Sequence, residues 1–187
     1  MKRVNPAAHK ACCQGLLVAD RAEQQRLKLL SPRKWFKGDL MISTDKRLLD
    51  YAFLQQALAA ASDERRLTLA LHGSLCFGLY RKTRQIGFAR LVTDLCDTAV
   101  LRDLYIAPEY RFIGLGSWLL ACCLAHPAAH HCGSVICSNV QAQAFLHKRG
   151  FVSADTLPGL YRLTFSPQPP ENGAETALYN NVTGEKP

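Results

Sequence analysis

The sequence predicts a mixed α/β fold built as one domain, and three observations carry that reading. The chain is 187 residues long, which is room for a single domain of ordinary size. Hydrophobic residues make up 48% of it and charged residues 20%, the balance of a chain that buries a core. Strand-like runs and helix-like periods follow one another in the order strand, two helices, three strands, helix, strand, helix, strand.

Leu40-Met41-Ile42-Ser43 reads as the first strand. Thr44 or Asp45 caps the helix that follows, in which Leu48, Leu49, Phe53, Leu54 and Leu58 recur at helical spacing. A shorter helix runs from Asp63 to Leu71 and stops at His72-Gly73. Leu75 to Tyr80 and Ile86 to Val92, joined by the polar turn Arg81-Lys82-Thr83-Arg84, read as an antiparallel hairpin. A turn over Asp94 to Thr98 leads to a longer strand, Ala99 to Ala107, which Pro108 ends. The glycine-bearing turn Arg111 to Ser117 opens a helix that His126-Pro127 terminates. Ser134 to Cys137 is a strand, Asn139 to Arg149 a helix stopped by Gly150-Phe151, and Leu160 to Phe165 the last strand.

The net charge of +8 is not spread evenly. Residues 1–38 hold nine Lys/Arg against two Asp/Glu, residues 39–164 thirteen against ten, and residues 165–187 one against three. The expected organisation is therefore a basic, poorly ordered arm over 1–38, a folded body over 39–165 and a disordered Pro/Gly/Asn/Glu-rich tail over 166–187. Nucleic acid is not an expected partner except through that arm, where only Trp35-Phe36 offers aromatic surface. No apolar run reaches the 18 or so residues of a membrane helix, and Arg21, Glu23 and Arg26 interrupt any export signal, so a cytoplasmic chain with no membrane partner is expected.

Eight cysteines are many, but adjacent pairs such as Cys12-Cys13 and Cys122-Cys123 do not form a disulfide framework. Reduced thiols serving as small core residues are the expectation. Cys122, Cys123, His126, His130, His131 and Cys132 crowd into eleven residues, yet they lack the paired spacing of a structural zinc site, and no metal is expected.

The turn after the long strand carries the chemistry. N–H groups in the first turn of a helix have no internal partners, and the helix dipole favours negative charge there. Gly114 and Gly116 take away side chains that would hold a phosphate off that backbone, and Arg111 adds a forked donor. There is no Gly-Lys-Ser/Thr, and Leu119 stands at the third glycine of a dinucleotide fingerprint, so neither of those phosphate loops is present.

The run Leu104-Tyr105-Ile106-Ala107-Pro108-Glu109-Tyr110-Arg111-Phe112-Ile113-Gly114-Leu115-Gly116 resembles the acetyl-CoA motif of the GNAT N-acetyltransferases, and Asn139-x-x-Ala142-x-x-Phe145-Leu146-x-x-x-Gly150-Phe151 is similar to the family's second signature. Cys76 to Tyr80 with Gln85 to Arg90 is similar to its central hairpin, so the resemblance spans about residues 39–165. It implies a single GNAT-like domain whose mixed, mostly antiparallel central sheet is flanked by helices. It further implies that Arg111, Phe112, Ile113, Gly114, Leu115, Gly116 and Ser117 cradle the pyrophosphate of acetyl-CoA, the co-substrate. By the same resemblance the backbone at Tyr105 and Ile106 pairs with the pantetheine arm, and Asn139 bonds the cofactor from the far side. The implied reaction is direct attack of an amine, from a small molecule or a peptide, on the acetyl carbonyl.

Two positions depart from that pattern. Phe112 stands where the fuller form of the motif has glycine, and Leu146 stands where the family places the tyrosine that protonates the departing thiolate. A general acid is worth about 10²- to 10⁴-fold, so slow turnover is expected. Asp103 and Tyr105, on one face of the strand by alternation, are the candidate catalytic residues. A non-catalytic module that binds CoA or a partner is the alternative that Leu146 and Phe112 favour. The acceptor and the oligomeric state stay open.

Overall fold

The computed structural model describes residues 20–58, 63–138, 142–153 and 160–165. The chain divides into two units, 1–31 and 32–187. The described part of the first is a helix, α1, over 20–29, with Glu23 and Arg26 paired one turn apart at 3.9 Å. The first half of the expected arm, Asn139, and the expected tail from Ser166 lie outside the described residues.

The second unit is an eight-stranded sheet in the order β1-β2-β3-β4-β5-β6-β8-β7. Its strands are β1 (Lys34–Lys37), β2 (Leu40–Ser43), β3 (Leu75–Arg81), β4 (Arg84–Thr93), β5 (Thr98–Ile106), β6 (Ser134–Ser138), β7 (Val152–Ser153) and β8 (Leu160–Thr164). Every neighbouring pair is antiparallel except β5 and β6, which are parallel. A parallel pair needs a crossover, supplied here by α4 (Leu115–Leu124) and α5 (Pro127–His131). The mixed, mostly antiparallel sheet flanked by helices is the architecture the sequence led us to expect.

The core forms on both faces of β3. Leu75 to Tyr80 are buried without interruption, the pattern of a strand covered on two sides. On one face, Cys76 and Phe88 pack with Leu54 of α2 (Tyr51–Ala57) and with Leu67 and Leu71 of α3 (Glu64–His72). On the other, Phe77 meets Trp35 and His126, and α4 buries Leu119, Leu120, Cys122 and Cys123 across β3, β4 and β5.

Four expectations need correcting. The folded unit starts before residue 39: β1 pairs with β2, Trp35 is buried, and Arg33 and Thr44 bond each other, Arg33 N–H to Thr44 Oγ1 at 2.8 Å and Thr44 N–H to Arg33 O at 3.0 Å. Three of its four residues are exposed, so β1 reads as arm in one dimension. The single helix expected from Thr44 to Leu58 is split. Asp45 caps a 3-10 turn over Lys46–Leu48, Leu49 is extended, and Asp50 caps α2 by accepting from Phe53 N–H at 3.0 Å. His126-Pro127 ends one helix and starts another, α5, which Pro127 opens and His126 caps through Nδ1. The two-residue β7 was not foreseen at all.

The cysteine and histidine crowd is parcelled out by this packing. Cys122 and Cys123 lie in the core, His130 stacks on Phe165 at 4.4 Å, and Cys132 donates to Ala128 O at 3.1 Å. Among the described residues no three His, Cys, Asp or Glu side chains are grouped as metal ligands.

His126 is fully buried, its Nδ1 accepts from Ala128 N–H at 3.2 Å, and its Nε2 has no protein partner. Burial, with Arg33 adding to it, holds the imidazole down to about 4. The unfolded chain therefore binds a proton between about pH 6.5 and 4 that the folded chain refuses, and stability is lost as pH falls through that window. Denaturant melts should show about 2 kcal/mol less stability at pH 5 than at pH 7.5 from this group. His126→Asn, which keeps a capping acceptor and removes the titration, should flatten that slope.

Candidate active site

β5, the turn after it and the first turn of α4 carry every suggested site residue that the structure describes. β5 is irregular along its second half. Phe88 of β4 pairs with Tyr105 and Arg90 with Arg102, so three steps along β5 face two along β4. This is a β-bulge, and Asp103 absorbs the extra residue in a left-handed backbone at φ 56. Such a backbone costs an ordinary L residue about 1–2 kcal/mol, and aspartate bears it better than most. Arg90 holds Asp103 from the neighbouring strand, donating Nε–H to Oδ2, with both side chains largely shielded from solvent.

Asp103 and Tyr105, expected on one face by alternation, border different clefts. Asp103 lines one cleft, of about 280 Å³, together with Leu101, Leu104, Cys137, Ser138 and Leu146. Tyr105 lines another, of about 150 Å³, with Phe53, Gln56, Arg84, Pro108 and Glu109. The first cleft opens where β5 and β6 part. Their pairing runs from Thr98 opposite Ser134 to Leu101 opposite Cys137 and goes no further. Beyond Leu101 that side of β5 has no strand partner among the described residues, which leaves a backbone edge free to pair with an extended ligand.

Ile106 ends β5, with Ala107 N–H bonded back to Ile86 O at 2.9 Å. A 3-10 turn, Pro108–Tyr110, then reverses the chain. Arg111 folds back to donate Nε–H to Ile106 O at 2.8 Å, and its guanidinium carbon stands 5.4 Å from the centre of the Tyr105 ring. Phe112 is left-handed at φ 65 and its side chain is wholly in solvent, with Ile113 also exposed. The bulk of Phe112 is thereby carried outward, away from the core.

Gly114, at φ 88, is the N-cap of α4. The first intrahelical bond is Trp118 N–H to Gly114 O at 3.0 Å, so Leu115, Gly116 and Ser117 present N–H groups with no helical acceptor. A Cβ on Gly116 would come no nearer than 3.7 Å to Ile106, so the fold itself has room for a side chain there. Glycine inside a helix costs about 1 kcal/mol relative to alanine, and nothing in the packing repays it. The unfilled space and the unengaged N–H groups together fit a phosphate at this turn.

Leu146 of α6 (Gln143–His147) is fully buried against the first cleft. The side-chain donors that line this cleft include Arg102, the Ser138 hydroxyl and the Cys137 thiol, and burial pushes that thiol up, away from ready ionisation. His147 turns to the other side, edge-on to Tyr161 at 5.5 Å. The residues that sequence reasoning passed over are those of the second cleft. Phe53 read as one more apolar position of a core helix, Arg84 as a turn residue and Glu109 as a solvated one, and only the fold brings the three together beside Tyr105. Glu109 is ion-paired with Arg84 at 3.2 Å on an exposed rim.

The comparisons with known proteins agree with this geometry. The model of the acetyltransferase (GNAT) family matches residues 42–151. A Gibberella zeae protein designated a candidate acetyltransferase is 33% identical over 119 residues, which cover 50% of this chain and 67% of that protein. Among solved structures, a candidate GNAT acetyltransferase from Xanthomonas campestris pv. campestris superposes with a TM-score of 0.60 at 24% identity, covering 76% of this chain and all of its own. A GNAT acetyltransferase from Elizabethkingia anophelis with acetyl-CoA bound has the same fold, with a TM-score of 0.53 at 14% identity over 69% of this chain and 100% of its own. The chain belongs to the GNAT acetyltransferase family. Acetyl-CoA is the co-substrate of that family.

The left-handed backbone and the ion pair at Asp103 can be separated. Asp103→Gly removes the carboxylate but suits φ 56, whereas Asp103→Ala removes the carboxylate and keeps the strain. The alanine variant should be less stable than the glycine variant by about 1 kcal/mol, read from urea midpoints at constant slope.

Proposed function

We propose that the chain is an acetyl-CoA-dependent N-acetyltransferase that passes the acetyl group to an amine by direct attack, with no acyl-enzyme. The observation that supports this best is the meeting on one strand of three features: an open edge beyond Leu101, the bulge at Asp103, and a helix start with unengaged N–H groups at Leu115, Gly116 and Ser117. In this reading the pyrophosphate rests on that turn, with Arg111 at its rim. The pantetheine lies along the β5 edge past Tyr105 and Ile106 into the first cleft. Asn139, outside the described residues, is kept as a ligand by family likeness alone. The catalytic unit begins at Pro32, and it works where acetyl-CoA is made available, in the cytoplasm.

The chemistry then divides cleanly. The amine lone pair attacks the carbonyl carbon, the C–S bond breaks, the amine gives up a proton and CoA leaves as a thiolate that takes one. Asp103 is less suited to proton removal than its position suggests, because one carboxylate oxygen is engaged by Arg90. Its better-supported role is to hold the bulge. Tyr105 borders the second cleft, where an acceptor would approach. With Leu146 at the tyrosine position, thiolate departure relies on the modest basicity of a thiol near pKa ~8.5. The competing reading, a CoA-binding module without turnover, rests on that same leucine.

Two variants test this. Gly116→Ala should leave the fold as stable as before, or up to about 1 kcal/mol more stable, while weakening acetyl-CoA binding at least about tenfold in calorimetry. Unchanged affinity would remove the pyrophosphate from the turn. Leu146→Tyr should raise kcat about 10- to 100-fold with little change in the KM for acetyl-CoA, since it restores a proton donor to the cleft. A protein that binds acetyl-CoA yet acetylates no amine in either form is the non-catalytic module.

A further inference from the structure

The second cleft is built differently from the first. Its walls are two aromatic rings, Phe53 of α2 and Tyr105 of β5, set edge to face with centres 6.0 Å apart. Both rings are only partly buried, so each keeps some surface open to a ligand. At the rim, Arg84 and Glu109 neutralise each other at 3.2 Å, and the Arg111 guanidinium stands over Tyr105. Among the described residues no lining carboxylate is left unpaired, so a polyamine would meet no compensating charge from them.

The proton inventory points the same way. Among the described residues, the carboxylates that line the two clefts are Asp103 and Glu109, and each is engaged by an arginine. With no free carboxylate to take a proton, the acceptor must supply its own neutral amine. At pH 7 an α-amine of pKa ~7.8 is neutral in about one molecule in seven, whereas a lysine-like amine of pKa ~10.4 is neutral in about one in 2,500.

We propose that this cleft selects an α-amine carried next to an aromatic ring, with Phe53 and Tyr105 as the specificity-determining pair. The ring of the acceptor packs against the surface that theirs leave exposed, and the amine reaches the β5 bulge beside Tyr105. The proposal rests on the acetyltransferase reading and narrows it to a substrate class. A free aromatic amino-acid derivative and a peptide beginning with an aromatic residue share this chemistry, and the test separates them.

The full chain is first titrated with CoA, and the CoA-saturated protein is then titrated with L-phenylalaninamide, L-alaninamide, spermidine and the tripeptide Phe-Ala-Ala-amide. L-phenylalaninamide should bind at least about tenfold more tightly than L-alaninamide, which carries the same amine without the ring, and spermidine should not saturate. Tripeptide binding as tight as that of the amide assigns a peptide terminus, and much weaker binding assigns a free small molecule. Phe53 also packs against the Leu54, Leu67 and Leu71 cluster, so the variant of choice is Phe53→Leu, which keeps apolar bulk and loses the ring. It should abolish the preference for phenylalaninamide while CoA binding stays intact, and Phe53→Tyr should retain it. Equal binding of alaninamide, saturation by spermidine, or an undiminished preference in Phe53→Leu overturns the proposal. Failure of CoA itself to bind in the first titration takes down the acetyltransferase reading, which keeps the two failures distinct.

Discussion

The length over which β5 and β6 can pair governs the rest of the site. Parallel strands that stayed bonded to their ends would bury the β5 edge, and no cleft would form between Asp103 and Leu146. Pairing stops at Leu101, and within two residues the bulge at Asp103 changes the direction of the strand. That change needs a residue willing to adopt a left-handed backbone and a partner to hold it. Arg90 is that partner, positioned by its pairing with Cys76 of β3 on the far side. Each cleft therefore depends on one ion pair in the middle of a sheet.

The two clefts are also unlike in what they ask of a ligand. One offers backbone: an unpaired strand edge continuing into a turn of unengaged N–H groups, which suits a long polar chain ending in phosphates. The other offers side chains: two rings and a neutralised rim. Because Tyr105 borders the second and its own backbone belongs to the edge of the first, β5 is the wall that both would share. Arg111 ties them further, since it belongs to the glycine-bearing turn and stands over the ring of Tyr105.

The fold was legible in the sequence wherever periodicity and punctuation agreed. The β3–β4 hairpin, β5 ending at Pro108, and α4 opening after Gly114 all follow from apolar runs broken by turn residues. β1 was hidden because one buried tryptophan among exposed lysines has no period to detect. The split of the first helix was hidden because Asp45 and Asp50 are both good caps, and only the bond from Asp50 N–H to Gln85 Oε1 at 2.8 Å selects the second as the true start. In the site, the turn was readable because its chemistry lies in consecutive residues. The bulge was not, since an alternating strand gives no sign that one residue will be left-handed. The second cleft was not either, because Phe53, Arg84, Tyr105 and Glu109 come together only in three dimensions.

The topology also orders the assembly of the chain in time. β3, β4 and β5 form a meander joined by short turns, and local contacts of that kind form early and at little entropic cost. β6 can join β5 only after the intervening α4 and α5 have been laid across the sheet, and β8 only after β6. The bulge and its ion pair thus belong to the early core, whereas the gap between β5 and β6 exists only once the last strands dock. A nascent chain would hold the β5 wall of the second cleft before the first cleft existed.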